Sequence, residues 1–153
     1  MIETARLVIR ALEPDERPAM LELWLDPANE RVDPGTPLER VRNWVERMPS
    51  GVWERESGEL VGDCGLHFDE KFQEWELSYG FRRDRWGRGY ATEAALACVR
   101  QGFDELGFEK IVADVVPAKK ASARVLEKCG FVFVRELEDG RLFYEVTRPR
   151  GGG

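Results

Sequence analysis

The stretch from residue 75 to residue 106 limits the possible folds of this chain more than any other feature. Alternating apolar residues predict a strand over 75–81, and apolar residues at helical spacing predict a helix over 89–106. A short basic loop with glycines at positions 87 and 89 joins the two. Because a strand that turns directly into a long helix is typical of layered α/β folds, we expect that class here.

The other segments predict one domain over residues 1–150. The second helix is expected to start with Thr36 as its N-cap, Pro37 at its first position and Glu39 completing a capping box, and to end at Pro49. The predicted order is β-α-α-β-β-β-α-β-α-β-β, with about seven strands and about four helices. The glycines at 151–153 are interpreted as a flexible tail or an expression remnant. The remaining predicted strands cover 6–10, 51–55, 60–68, 111–116, 132–137 and 142–147, and the remaining helices 14–25 and 121–129.

Composition argues against several classes of function. The chain has 23 Lys and Arg against 29 Asp and Glu, and this net charge of −6 counts against nucleic-acid binding. The apolar run over 94–99 is far shorter than the roughly 20 residues of a membrane-spanning helix, and the first residues lack the apolar stretch of a signal peptide. Three cysteines without a C-x-x-C pair, with one histidine, favour buried reduced thiols and no metal site. We therefore expect a cytoplasmic protein without nucleic-acid or membrane partners.

The basic loop has the pattern of an anion site. The first amides of a helix lack intrahelical partners, and the helix dipole places partial positive charge at that end. Gly87 and Gly89 allow close approach to the backbone, and arginines at 82, 83, 85 and 88 add charge. These features favour a phosphate-bearing ligand, although a turn with solvated arginines has the same pattern. A Rossmann site fits poorly because Thr92 replaces the third glycine, and the Gly-Lys-Ser/Thr of a P-loop does not occur.

Further motifs extend this pattern over nearly the whole chain. Trp-Gly-Arg-Gly-Tyr-Ala at 86–91 corresponds to the motif Gln/Arg-x-x-Gly-x-Gly/Ala, with Trp86 in place of Gln or Arg. Further matches lie at 4–10, 58–66, 117–122 and 125–131. The sequence thus resembles the GNAT superfamily of N-acetyltransferases. Within it, the sequence is most similar to the branch that acetylates the N-terminal alanine or serine of ribosomal proteins. The resemblance implies the GNAT fold, an α/β fold with a mixed, mostly antiparallel sheet and a splayed central strand pair.

The resemblance also implies acetyl-CoA as cosubstrate. Its pyrophosphate would rest on the backbone N–H groups of residues 88–92, and its pantetheine arm would run beside 79–83 like an added strand. A backbone N–H near Phe81 would stabilise the oxyanion of the tetrahedral intermediate. The residues implied to bind the cosubstrate are Tyr79, Gly80, Phe81, Arg82, Arg83, Trp86, Gly87, Arg88, Gly89, Tyr90, Ala91, Thr92, Lys119 and Ser122.

Acetyl transfer needs a neutral amine and a proton for the departing thiolate. Glu76 is the leading candidate for the general base and His67 the second, while a solvated carboxylate and a structural histidine remain open alternatives. Ser122 occupies the family position near the sulfur and could protonate the thiolate, or it could only cap the last helix. Leu126 stands where many members carry a tyrosine as the acid. Because no cysteine lies in a nucleophile motif, direct transfer without an acyl-enzyme is predicted.

The first two helices and the loop between them are expected to select the acceptor through Trp24, Asn29, Arg31 and Val32. Trp24 and Trp44 lie on apolar stripes, which favours core packing for both. The acceptor stays open between a protein amino terminus and a small-molecule amine such as a polyamine, an amino acid or an antibiotic. Homodimers are common in the family, so a second copy is an expected partner. Two alternatives also stay open: a non-catalytic acyl-CoA-binding module, and an enzyme for another phosphate-bearing ligand.

Overall fold

The structure is a computed structural model that describes residues 1–48 and 50–150. The predicted tail at 151–153 and the predicted helix end at Pro49 lie outside the described residues. The helices are α1 Arg17–Leu25, α2 Leu38–Arg47, α3 Tyr90–Asp104 and α4 Lys120–Lys128. The strands are β1 Ile2–Glu3, β2 Leu7–Arg10, β3 Gly51–Glu54, β4 Leu60–Asp69, β5 Glu74–Phe81, β6 Lys110–Val115, β7 Val132–Glu136 and β8 Leu142–Thr147.

The strands form one eight-stranded sheet in the order β1-β2-β3-β4-β5-β6-β8-β7. Neighbouring strands run antiparallel, except for the parallel pair β5 and β6. The predicted mixed, mostly antiparallel α/β fold is confirmed. The structure has eight strands in its described residues, one more than predicted. The additional strand is β1, whose two residues are too few to produce an alternating pattern in the sequence.

The central strands β5 and β6 separate soon after they meet. Trp75 pairs with Ile111 and Glu76 with Val112, and no later residue of β5 has a partner on β6 in the described part of the chain. On its other side, β5 stays in register with β4 as far as the pair of Gly62 and Phe81. The predicted splayed pair is thus confirmed, and it leaves one edge of β5 open from residue 77 onward.

Helices cover both faces of the sheet. The larger core joins α3 and α4 to one face, where Leu77 of β5 packs with Ala95 of α3 and Leu126 of α4. The smaller core lies between α1 and α2. Because side chains alternate along a strand, Glu76 and Ser78 point to the face opposite Leu77, which is the face that α1 and α2 cover. The residues buried in the smaller core are Met20, Leu23, Trp24, Val41 and Val45.

Two predictions about the first helices are wrong. The side chain of Thr36 does not cap α2, which begins at Leu38 without a side-chain cap bond; its hydroxyl instead donates to the carbonyl oxygen of Asp33 at 2.7 Å. Trp24 is buried as predicted, but Trp44 is 41% exposed, because α2 packs through Val41 and Val45. The three cysteines are free and buried, as expected. No helix in residues 1–48 and 50–150 is both long and apolar enough to cross a membrane.

Candidate functional site

The turn between β5 and α3 presents free backbone donors. Gly87 and Gly89 have φ angles of +79° and +80°, which favour glycine, and a Cβ at Gly87 would meet no described heavy atom within 4 Å. The first amide of α3 with a backbone acceptor is that of Glu93, which donates to the oxygen of Gly89 at 3.0 Å. The N–H groups of residues 87–92 have no acceptor among the described residues. Unpaired amides at the positive end of a helix form a cradle for an anion.

The buried carboxylate of Glu54 holds this turn in place through hydrogen bonds. Glu54, at the end of β3, accepts hydrogen bonds from the hydroxyls of Tyr90 at 2.6 Å and Ser57 at 2.7 Å and from Nε of Arg85 at 3.1 Å. The bonds from Tyr90, Ser57 and Arg85 lower the pKa of Glu54 from 4.5 to about 2. Glu54 therefore stays ionised and fixes both ends of the turn.

Thr4 and Arg6, near the amino terminus, form hydrogen bonds to this turn and to the start of α3. Arg6 donates through its backbone N–H and Nε to the two carboxylate oxygens of Glu93, at 2.9 and 2.8 Å. The hydroxyl of Thr4 donates to the same carboxylate, and the guanidinium of Arg6 also donates to the carbonyl oxygen of Arg88 at 2.8 Å. Glu93 lies one turn into α3, so these bonds fix the start of the helix relative to the sheet.

The arginines of the loop differ in exposure and in whether a carboxylate already pairs with the guanidinium. Arg85 is largely buried and occupied by Glu54. The guanidinium of Arg83 stacks on the ring of Trp86, 4.2 Å from its centroid, and Arg88 is half-exposed with one nitrogen 3.7 Å from Glu54. Arg83 and Arg88 are thus better placed than Arg85 to meet a ligand in the cradle.

The open edge of β5 continues from this turn. The N–H of Arg82 donates to the oxygen of Val61 on β4 at 2.8 Å. Because backbone groups alternate in direction along a strand, the N–H groups of Tyr79 and Phe81 point away from β4, into the gap beside β6. The oxygen of Phe81 accepts from the indole N–H of Trp86 at 2.9 Å. The edge therefore offers backbone donors and acceptors to an extended ligand.

A cleft of about 720 Å³ contains all three catalytic candidates, Glu76, His67 and Ser122. Nε2 of His67 lies 3.5 Å from a carboxylate oxygen of Glu76. Burial raises the pKa of Glu76, and the hydrogen bond to Glu76 raises the pKa of His67. A buried carboxylate beside an imidazole is placed to accept a proton from an amine bound in the cleft.

Asp69 adds a second carboxylate that sequence reasoning missed. The ligand atoms of His67, Asp69 and Glu76 lie within 4.8 Å of one another. Imidazole and carboxylate are both ligands of divalent metal ions, so this cluster could hold one, whereas no metal site was expected. His67 lies opposite Glu76 in the antiparallel register of β4 and β5, and Asp69 lies two residues further along β4. The sequence alone does not give this register.

Ser122 and Tyr79 meet at the start of α4. The hydroxyl of Tyr79 donates to the carbonyl oxygen of Ser122 at 3.0 Å, and burial raises the pKa of Tyr79. Leu126 is fully buried and also lines the cleft. An apolar wall thus stands where the resemblance would place an acid tyrosine.

The loop between α1 and α2 is fixed to the sheet by Arg31. Its guanidinium donates to both carboxylate oxygens of the fully buried Asp63, at 2.9 and 2.8 Å, and to Ser78 at 3.1 Å. It also stacks over the ring of Trp24, 4.0 Å from the centroid. Trp24, Arg31 and Val32 line the cleft, but the guanidinium of Arg31 is already occupied.

Two other predicted residues serve as links across the site. Asn29 donates to the oxygen of Leu23 at 2.8 Å and accepts from the N–H of Arg83 at 2.8 Å, so its amide joins α1 to the turn that follows β5. Lys119 lines the cleft and donates to the oxygen of Glu30 at 3.0 Å. The acceptor loop therefore contacts both sides of the gap between β5 and β6.

Sequence reasoning missed Glu54, Glu93 and Asp63. A signal existed for the first, because a tyrosine inside the glycine motif needs a partner for its hydroxyl when the ring is buried. Tyr90 is such a residue, and Glu54 is its acceptor. Glu93 and Asp63 act through contacts that are remote in sequence, and no local pattern marks them.

Comparisons with known proteins agree with this geometry. The family model described as "Acetyltransferase (GNAT) domain" matches residues 6–132. A relative in Bacillus subtilis, "Uncharacterized protein YkkB", is 38% identical over 104 residues, which cover 62% of this chain and 60% of that protein. This chain therefore spans less than two thirds of that relative.

Solved structures share the fold. A crystal structure of an acetyltransferase from Agrobacterium tumefaciens has a TM-score of 0.84 at 25% identity and covers 95% of this chain and 92% of the other. A spermidine N-acetyltransferase from Vibrio cholerae, solved in complex with CoA and spermine, has a TM-score of 0.77 at 16% identity and covers 95% and 97%. At that identity the second similarity concerns the fold alone.

Proposed function

Because this chain belongs to the GNAT family of acetyltransferases, we propose that it moves the acetyl group of acetyl-CoA directly to a primary amine. The observation that carries the proposal is the row of unpaired amides over 87–92, which continues into the open edge of β5. The acceptor is a protein amino terminus or a small-molecule amine. A protein amino terminus would agree with the similarity to the branch that modifies ribosomal proteins.

The residues of the turn fit a diphosphate. The amides of 88–92 supply donors without their own acceptors, the surface at Gly87 is open, and Arg88 adds a half-exposed charge. The N–H and C=O groups of Tyr79 would pair with an amide-bearing arm as a neighbouring strand does. Acetyl-CoA supplies an activated thioester, and the chain's own residues provide position and proton transfer.

Glu76 accepts a proton from the ammonium of the acceptor, so that the amine can attack as a neutral nucleophile. Its raised pKa and the adjacent His67 support this role. The backbone N–H of Tyr79 or Phe81 donates to the carbonyl oxygen of the acetyl group as that oxygen gains charge. Ser122 lines the same cleft and is the side chain proposed to protonate the leaving sulfur.

The cysteines support direct transfer without an acyl-enzyme. Cys64 and Cys129 are buried, and the pKa of Cys64 lies well above its usual range because of its hydrogen bond to Cys98 and its burial. Burial raises the pKa of Cys129 to about 11. A thiol in this state is a poor nucleophile, and no cysteine of the described residues lines the cleft.

The test is release of CoA thiol from acetyl-CoA over a panel of amines, with product identified by mass. We expect an amine-dependent rate that falls by about 100-fold or more in Glu76→Gln, since general base catalysis contributes on that scale. Glu74→Gln is the matched control, because Glu74 lies two residues earlier on β5 and pairs with Lys110 at 2.9 Å. CoA binding without amine-dependent release would favour the acyl-CoA-binding module instead. Stabilisation by nucleotides but not by CoA would favour another phosphate-ligand enzyme.

We also propose that the protein is cytoplasmic and that it forms a homodimer. The two copies would pair through the edge strand β7. Val132, Phe133 and Val134 are exposed on this five-residue strand, and an edge strand offers unpaired backbone groups to another chain. Sedimentation should give a dimer for the natural chain and a monomer for Phe133→Lys. A natural chain that sediments as a monomer would contradict the dimer.

A further inference from the structure

Charges are distributed unevenly in the cleft that holds Glu76. The carboxylates of Asp69 and Glu76 lie together beside His67. Two arginines of the cleft already have acidic partners: Arg31 pairs with Asp63, and Arg141 pairs with Asp114. Arg47, at the end of α2, is exposed, lines the same cleft and has no acid within ion-pair distance among the described residues. The lining of the cleft therefore combines the acidic pair Asp69 and Glu76 with one exposed cation, Arg47, that has no acidic partner among the described residues.

Two exposed aromatic rings also line the cleft. Trp44 on α2 is 41% exposed and Phe68 on β4 is 45% exposed. Neither ring belongs to the buried cores. Trp44 and Arg47 are three residues apart on one helix, so they share a face. Large apolar side chains that stay exposed inside a cleft are typical of a ligand-binding surface.

We propose that the acceptor is a primary amine joined through an aromatic or apolar segment to an anionic group, and this inference rests on the proposed acetyl transfer. The ammonium lies at Asp69 and Glu76, the apolar segment contacts Trp44 and Phe68, and the anion pairs with Arg47. In the reaction the nitrogen forms a C–N bond to the acetyl carbon as the C–S bond breaks. One proton of the ammonium passes to Glu76 before the neutral amine attacks. The second proton that the nitrogen loses passes through the hydroxyl of Ser122 to the departing thiolate, which leaves as the thiol.

This arrangement disfavours a polycation as acceptor. A polyamine needs several free acids along its length. Besides Asp69 and Glu76, the acids that line the cleft are Asp33 and Asp114, but Asp114 is paired with Arg141 at 3.0 Å, and Arg47 adds a cation without an acidic partner among the described residues. Like charges placed close together cost binding free energy. A monoamine with an anion at its far end meets attraction at both ends.

The experiment compares kcat/KM for three amines: 4-(aminomethyl)benzoate, benzylamine, which lacks only the carboxylate, and spermidine. The carboxylate should raise kcat/KM by about tenfold or more over benzylamine, since a hydrogen bond to a charged group contributes on that scale. Arg47→Gln should remove this preference, whereas Arg42→Gln should keep it, because Arg42 is exposed on the same helix and does not line the cleft. Trp44→Ala should lower kcat/KM for both aromatic amines, with an unchanged melting temperature because the ring is partly exposed.

Equal kcat/KM for the two aromatic amines, a preference that survives Arg47→Gln, or spermidine as the best acceptor would overturn the inference and leave acetyl transfer standing. If none of these amines nor any of the wider panel releases CoA thiol above the amine-free rate, the proposed function itself fails, and this inference with it.

Discussion

Replacement of Gly80 by alanine tests how the acceptor loop is attached to the sheet. A Cβ at Gly80 would lie 2.2 Å from Cδ and 2.5 Å from Nε of Arg31. These atoms cannot simply move aside, because the guanidinium is held by Asp63, Ser78 and the ring of Trp24. The substitution should therefore break the ion pair between Arg31 and Asp63.

The expected loss of stability follows from the burial of Asp63. Its side chain is fully buried, and removing the partner of a buried charge costs about 3–5 kcal/mol. Alanine recovers about 0.5–1 kcal/mol relative to glycine in a strand, so the net loss should be about 2–4 kcal/mol. A domain with a typical stability of about 5–15 kcal/mol would still fold.

The assay is urea unfolding followed by tryptophan fluorescence, in the natural sequence and in a background with Arg31→Ala and Asp63→Asn. In that background Gly80→Ala should cost less than about 1 kcal/mol, because the three atoms nearest the new Cβ all belong to Arg31. An equal cost in both backgrounds, or a negligible cost in the natural sequence, would refute the reasoning.

Three further predictions concern the site. The pKa of Glu54 is lowered from 4.5 to about 2, so its stabilising effect is complete above pH 4.5 and is lost as the pH falls toward 2. Glu54→Gln should lower the melting temperature at neutral pH by a margin that shrinks in acid, and a pH-independent margin would contradict this. Gly89→Asp should abolish CoA binding in calorimetry, whereas Gly107→Asp, with a similar positive φ, should not; equal affinities would argue against the cradle. Because burial raises the pKa of Glu76, the acid limb of kcat/KM should lie above the ordinary value of 4.5 and be absent in Glu76→Gln. A limb that persists in the variant would assign it to another group.

Local patterns were sufficient for most of the fold. The alternation in β5, the helical stripe of α3 and the glycines between them predict the strand, turn and helix that the structure contains. The two-residue β1 is too short for a pattern, and Thr36 failed as a cap because its hydroxyl bonds to Asp33. Exposure of Trp44 depends on how α2 packs, which its amphipathic pattern does not determine.

The candidate site was predictable only in part, because several of its contacts join residues that are far apart in the sequence. The turn at 87–92 is local, so its free amides follow from helix geometry. The pairs of Glu54 with Tyr90 and of Asp63 with Arg31 join residues 36 and 32 positions apart. Such contacts depend on strand order and register, and the sequence alone leaves these open.

The central claim is that the amides of residues 87–92 bind the diphosphate of coenzyme A. Titration of ¹⁵N-labelled protein with CoA, followed by amide NMR, tests it most directly. We expect the amide resonances of residues 87–92 to shift most and those of the open β5 edge to shift with them. CoA binding with large shifts elsewhere and none in this turn would contradict it.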